Sequence, residues 1–327
     1  MIVSIDRRTL RNYSMLGERG AFFIELTERA KDIEDLALLT ADLGVLSGLS
    51  RFMRDHPDKF YNVGIAEQNM IGIAAGMAKV GLNVFATTYA NFITMRACEQ
   101  IRMSLGYMKF PVKVVGSGAG LIMSMSGNSH YSFEDIAIMR AIPNITVVAP
   151  ADAFEAVKVL DAAVNFDKPM YIRLTGGVNC PMVYKEDYDF QIGKAVELRA
   201  GSDVAIFSTG TVTANAIKAA ALLETQGISA AVINVHTLKP LDTDVLDKYF
   251  ATTKLIVSVE EHSTIGGLGG AIAEYKADKK SAPPQMFIGL PDMYGKAAEY
   301  NFLLDRYGLT AEKICNRIQQ QFQTGGI

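Results

Sequence analysis

Glu67 stands in the run Gly64-Ile65-Ala66-Glu67-Gln68-Asn69-Met70, where a carboxylate follows a strand-like stretch and opens an apolar helix. Such a carboxylate can face a ligand in a dry pocket, or it can merely complement the positive end of the helix dipole. The run Thr87-Thr88-Tyr89-Ala90-Asn91-Phe92 sets two aromatic rings just past another strand. Their place just past a strand is one where ligands gather, but core packing is the ordinary reading of such a pair. A third segment, Ser124-Met125-Ser126-Gly127-Asn128-Ser129-His130-Tyr131, is a small, polar loop containing one of only four histidines. A loop histidine among Gly, Ser and Asn has few apolar neighbours to bury it, so a functional and a structural role are both open.

Other chemistries find less support. Gly116-Ser117-Gly118-Ala119-Gly120 has its serine out of phase with the GxSxG elbow of serine hydrolases. There is no GxxxxGK[ST] phosphate loop. Gly266-Gly267-Leu268-Gly269-Gly270 approaches GxGxxG, but it lies far along the chain and lacks the acid expected about 20 residues on. It reads as a tight turn with close helix–sheet packing. His262, beside Glu260 and Glu261, is open to metal binding but reads better as a loop residue. Cys98, Cys180 and Cys315 are far apart and odd in number, with no CxxC, zinc spacing or disulfide framework, which fits a reducing cytoplasm.

The elements that must position these candidates follow from hydrophobic periodicity. Residues 1 to about 15 read as a polar lead-in, and Phe22, Leu26 and Ala30 then fall at helical spacing. Short apolar runs at 36–39, 61–64, 83–87, 112–116, 145–149 and 169–174 read as strands, with helices at 66–80, 92–105 and 153–164 between them. The pattern lapses from about Gly176 to Gly201, then restarts with strands at 203–208, 229–234 and 255–260. Helices at 214–226, 240–249 and 310–322 accompany them, the last with Thr310 as its cap. Strands of four to six residues alternating with longer helices predict an α/β fold, two domains with mainly parallel sheets flanked by helices. In that fold ligands gather at the carboxyl ends of strands, where the three candidate segments lie.

At 327 residues the chain has room for two domains of about 150 residues each. The expected division is 1–185 and 186–327. A net charge of −3, with 20% charged and 49% apolar residues, gives no electrostatic grip for nucleic acid or an anionic membrane. The start MIVSIDRRTLRNYS lacks a signal peptide's apolar stretch, and no run nears the roughly 20 apolar residues that span a bilayer. The expectation is a soluble, cytoplasmic protein.

Read together, GIAEQNM, the aromatic pair near 89–92, RACEQIR, the SGNSH loop, EDIAIMRAIPNITVVAPAD and MYIRL occur in one order and spacing. The chain thereby resembles the C-terminal half of transketolase and of 1-deoxy-D-xylulose-5-phosphate synthase, the pyrimidine-binding plus C-terminal domains, over about residues 15–325. VSVEEHSTIGGLGGAIAE and YGLTAEKI extend the likeness into the second half. The resemblance implies a thiamine diphosphate enzyme that moves a two-carbon ketol unit from a ketose to an aldehyde. Glu67 matches the glutamate that hydrogen-bonds N1′ of the cofactor's aminopyrimidine, and Tyr89 and Phe92 fall where that ring stacks. His130 matches the histidine beside the reactive carbon. Arg96 and Arg173 match arginines that hold substrate phosphate, although an ion-pair role for either stays open. The family's Gly-Asp-Gly motif for Mg²⁺ and diphosphate is missing. The resemblance therefore implies one subunit of a split enzyme, in an α₂β₂ assembly acting on a sugar or sugar phosphate. An N-terminal-type partner subunit would carry the diphosphate and Mg²⁺ ligands.

Several positions depart from the family pattern. Ser124-Met125-Ser126-Gly127 replaces an acidic segment before the histidine, Gly118 and Ala119 stand for a histidine and an aspartate, and Leu16 for an arginine. Asp292-Met293-Tyr294-Gly295-Lys296-Ala297 replaces a small Gly/Ser segment. Each change removes charge or polarity near the expected sugar phosphate site, so a modified, less phosphorylated or nucleotide-linked sugar is expected. Two alternatives remain: the beta subunit of a 2-oxo acid decarboxylating dehydrogenase component, and a non-catalytic scaffold of the same fold.

Overall fold

The computed structural model describes residues 6–324. The chain builds two sheets. Helix α1 (Arg7–Arg29) leads into β1 (Leu36–Thr40), α2 (Ser50–Asp55), β2 (Phe60–Asn62), α3 (Glu67–Lys79) and β3 (Asn83–Tyr89). Next come π-helical turns Phe92–Arg96 and Ile101–Tyr107 around the single turn α4 (Cys98–Gln100), then β4 (Lys113–Ser117). A 3-10 loop, Ser124–Ser129, precedes α5 (Asp135–Ala141), β5 (Thr146–Val148), α6 (Ala153–Val164) and β6 (Met170–Leu174). The second half runs β7 (Val196–Arg199), β8 (Val204–Thr209), α7 (Thr213–Glu224), β9 (Ala230–Asn234), β10 (Thr237–Lys239) and α8 (Thr243–Thr252). It closes with β11 (Leu255–Ser263), α9 (Leu268–Ala277), β12 (Gln285–Leu290), α10 (Tyr300–Arg306) and α11 (Ala311–Thr324).

The first sheet has the order β10-β5-β6-β4-β3-β1-β2 and the second β12-β11-β8-β9-β7. All pairings are parallel except β10 on β5 and β7 on β9, both at sheet edges. Every residue of β1, β4, β6, β8 and β9 is buried, as expected for parallel strands covered on both faces by helices. One apolar core runs from Ala37 and Ile71 through Val147 and Tyr171 to Phe207, Ile233 and Ile256, so the two halves share packing.

Several sequence expectations change: β7 lies inside the stretch expected to lack a pattern, and the helix expected at 92–105 is largely π-helical. The polar lead-in is helical from Arg7, capped by Asp6 Oδ1, which accepts from the Thr9 N–H at 2.6 Å. Its Tyr13 is buried and donates to Glu25 Oε1 at 2.8 Å, and the helix kinks at Gly17 (φ 70°). A Cβ there would lie 2.2 Å from the Gly177 carbonyl oxygen, so glycine is required. His262 is no loop residue: it is fully buried in β11, and burial pushes its pKa down to about 4. The Gly266–Gly270 turn does pack tightly. Its Leu268 and Gly269 N–H groups donate to the buried Glu260 carboxylate at 2.7 and 2.8 Å. Among the described residues no helix is long and apolar enough to cross a membrane.

Candidate active site

Parallel pairing of β1, β3 and β4 brings their carboxyl ends to one edge of the first sheet. There, Asn62 at the end of β2 receives the N–H groups of Asp42 (3.0 Å) and Gly64 (3.1 Å), which shapes the turn into α3. Glu67 is the first residue of that helix and only 6% exposed. Tyr89 ends β3, and Phe92 and Arg96 open and close the first π-helical turn. π-turns recur at functional sites because they re-aim side chains out of an otherwise regular helix.

The structure brings five of the six sequence-derived candidates together. Arg96 Nη1 lies 2.9 Å from Glu67 Oε1, and its guanidinium sits over the Phe92 ring, Cζ 3.8 Å from the centroid. Tyr89, Phe92 and His130 form an aromatic triangle, with centroids 5.7 Å (Tyr89–Phe92), 5.8 Å (Tyr89–His130) and 5.3 Å (Phe92–His130) apart. His130 Nδ1 is 3.0 Å from Ser129 Oγ, which also lies 3.3 Å from the Ser126 carbonyl. That hydroxyl has one proton for two acceptors, so it can set the histidine tautomer by choosing between them.

Asn91 went unrecognised at the sequence level. It is 8% exposed and donates from Nδ2 to the Ser129 carbonyl at 2.7 Å, tying the histidine loop to the end of β3. Only its place between Tyr89 and Phe92 could have signalled it. The second half also supports this loop. Asn128 Nδ2 donates to the Gly295 carbonyl at 2.6 Å, and Tyr131 Oη, which donates within the loop to the Ser124 carbonyl at 2.7 Å, also lies 3.4 Å from the Lys296 carbonyl. The two segments that depart from the family pattern, Ser124–Gly127 and Asp292–Ala297, therefore belong to neighbouring, hydrogen-bonded loops.

Arg173 is not brought to the cluster. It is 1% exposed within β6, its Nε pairs with Asp135 Oδ2 at 2.7 Å, and its Nη2 donates to the Ser132 and Glu261 carbonyls at 3.2 and 2.9 Å. A guanidinium so committed braces the segment after His130 against the second half instead of facing an open site.

Comparison with known proteins gives the family. Residues 17–178 match the transketolase pyrimidine binding domain and residues 193–314 the transketolase C-terminal domain. The chain belongs to the transketolase family. It is 38% identical to a putative transketolase C-terminal section from Methanocaldococcus jannaschii, covering 94% of this chain and 96% of that protein. Against one of the subunits of an apulose-4-phosphate transketolase from Phocaeicola vulgatus the identity is 34%, over 92% and 96% of the two chains. A 6-deoxy-6-sulfo-D-fructose transketolase subunit from Clostridium sp. is 38% identical over 90% of this chain and 91% of that one. A solved structure described as a split gene transketolase, inactive beta4 tetramer, superposes with a TM-score of 0.84 at 38% identity, covering 94% of this chain and 98% of that one. Within the transketolase family, Glu67, Tyr89, Phe92 and His130 thus lie on the pyrimidine-binding domain.

Proposed function

We propose that the chain is the pyrimidine-side subunit of a split, thiamine diphosphate-dependent transketolase-like enzyme that transfers a two-carbon ketol unit from a ketose to an aldehyde. The observation that carries this reading is the convergence of a buried carboxylate, an aromatic face and a histidine on one sheet edge. These residues fit the cofactor's aminopyrimidine: Glu67 would hold it at N1′ and Phe92, beside Tyr89, would supply the stacking face. The chemistry that bound thiamine diphosphate supplies is exchange of a carbon–carbon bond through its own acidic ring carbon. His130 would donate a hydrogen bond to the substrate oxygen on which charge develops. Arg96 remains the candidate for an anionic substrate group, and we assign Arg173 to bracing the histidine loop.

Diphosphate and Mg²⁺ would be held by an N-terminal-type partner subunit, in an α₂β₂ assembly. In support, the chain covers 96% of a transketolase C-terminal section but only 48% of a 1-deoxy-D-xylulose-5-phosphate synthase. The outward face of α3 carries exposed Gln68, Asn69, Gly72, Ile73 and Gly76, and a Cβ at either glycine would meet nothing within 4 Å, which suits close approach by another subunit. The relatives acting on sulfo- and apulose sugars favour a substrate outside the ordinary pentose phosphates, in keeping with the altered Ser124–Gly127 and Asp292–Ala297 segments.

The test is Glu67→Gln in the complex assembled with the N-terminal-type subunit. Ketol transfer is expected to fall at least a hundredfold. Unchanged turnover, or carbon dioxide release from a 2-oxo acid without transfer, would contradict the proposal.

A further inference from the structure

Arg96 holds an unusual position for a half-exposed arginine: one guanidinium satisfies the buried Glu67 carboxylate and at the same time covers the Phe92 ring. A flat aminopyrimidine held by the same carboxylate and stacked on the same ring would need both contacts. The two groups are alike in what matters here. Each is planar, can present an N–H in its plane to a carboxylate (the guanidinium always, the ring once N1′ carries a proton), and offers a π-face to an aromatic ring. The backbone under Arg96 is fixed as well, because Gln68 Nε2 donates to its carbonyl at 3.0 Å. The side chain itself keeps 50% of its surface, so it has room to leave.

From this geometry we infer that Arg96 is an internal stand-in for the aminopyrimidine, occupying the ring site of the unassembled subunit and displaced when the cofactor loads. The stand-in keeps a buried carboxylate compensated while no ligand is present, since an unpaired charge in that position is costly. Its displacement frees a guanidinium at the mouth of the site at the moment the ring is seated. The subunit's resting state is thereby self-occluded, and loading competes with an intramolecular ion pair. This inference rests on the proposed function, because it takes Glu67 and Phe92 as the ring's partners.

The test uses the purified chain and the aminopyrimidine half of thiamine, 4-amino-5-hydroxymethyl-2-methylpyrimidine, which takes a proton at N1′ on pairing with a carboxylate, titrated by saturation-transfer NMR. Arg96→Ala is expected to bind this probe at least tenfold more tightly than the parent, and Arg96→Ala combined with Glu67→Gln is expected to lose that gain. Arg96→Lys, which keeps the charge without the planar fork, should fall between, and thermal melts establish that each variant is folded. Binding by Arg96→Ala no tighter than by the parent, including no detectable binding by either, overturns the stand-in. The outcome is separable from the function itself: retained activity of the Glu67→Gln complex defeats the site assignment, whereas loss of that activity with no gain in the Arg96→Ala titration defeats only the stand-in.

Discussion

Glu67 and Glu18 are both buried acids near the carboxyl ends of strands, and their surroundings set them apart. Glu67 has a charged partner in Arg96. Glu18 is fully buried, its Oε2 accepts the N–H groups of Thr175 (2.6 Å) and Gly176 (2.8 Å), and its Oε1 has no hydrogen-bond partner. Burial outweighs the two N–H donors and pushes its pKa up to about 8, from an ordinary 4.5. Between those values the folded chain keeps a proton on Glu18 that the unfolded chain releases. Its stabilising contribution is therefore full below pH 4.5 and is lost as pH rises to 8. Glu18→Gln removes this dependence. Its stability relative to the parent is expected to rise by up to about 4 kcal/mol between pH 5 and pH 9, measured by urea unfolding; an equal difference at both pH values would show that Glu18 ionises freely. The sequence marked Glu67 because it opens a helix after a strand. Glu18 carried no comparable mark, because its partners are backbone groups more than 150 residues away. The same distance problem left Arg173 open to two roles: only the fold places Asp135 against it.

At the scale of elements, local periodicity made most strands and helices legible, since Leu36–Leu39 is apolar throughout and Met170–Leu174 is apolar but for Arg173. Strand β10 escaped because three residues pairing with β5, from the other half of the chain, leave no local signature. Helix α1 escaped over its first two turns because their surface is polar. The π-turns after β3 read as an ordinary helix, and the difference matters, because Phe92 and Arg96 project from them. Asn91 joins this element to the histidine loop through its bond to the Ser129 carbonyl. Asn91→Ala should cost about 1 kcal/mol of stability by leaving that carbonyl without its partner. In the assembled enzyme it should lower kcat about tenfold by loosening His130, with cofactor affinity unchanged. A matching loss of cofactor affinity would place Asn91 in the ring site itself.

For the whole molecule, the two sheets are tied by β10, by the shared apolar core and by the buried Asp135–Arg173–Glu261 contacts, so the loops at their junction form a stable rim beside the cluster. The cluster is open to solvent on its outer side, where Ile65 and Met95 are 78% and 42% exposed. An open half-site of this kind, with a carboxylate, an aromatic face and a histidine, is what a cofactor lying between two subunits requires of one of them. The most direct measurement is calorimetric titration of thiamine diphosphate with Mg²⁺, into the chain alone and into the chain assembled with its N-terminal-type subunit. The expected result is binding only by the assembly, at one site per chain. Tight binding by the chain alone, or none by the assembly, would rule out a cofactor site shared between two subunits.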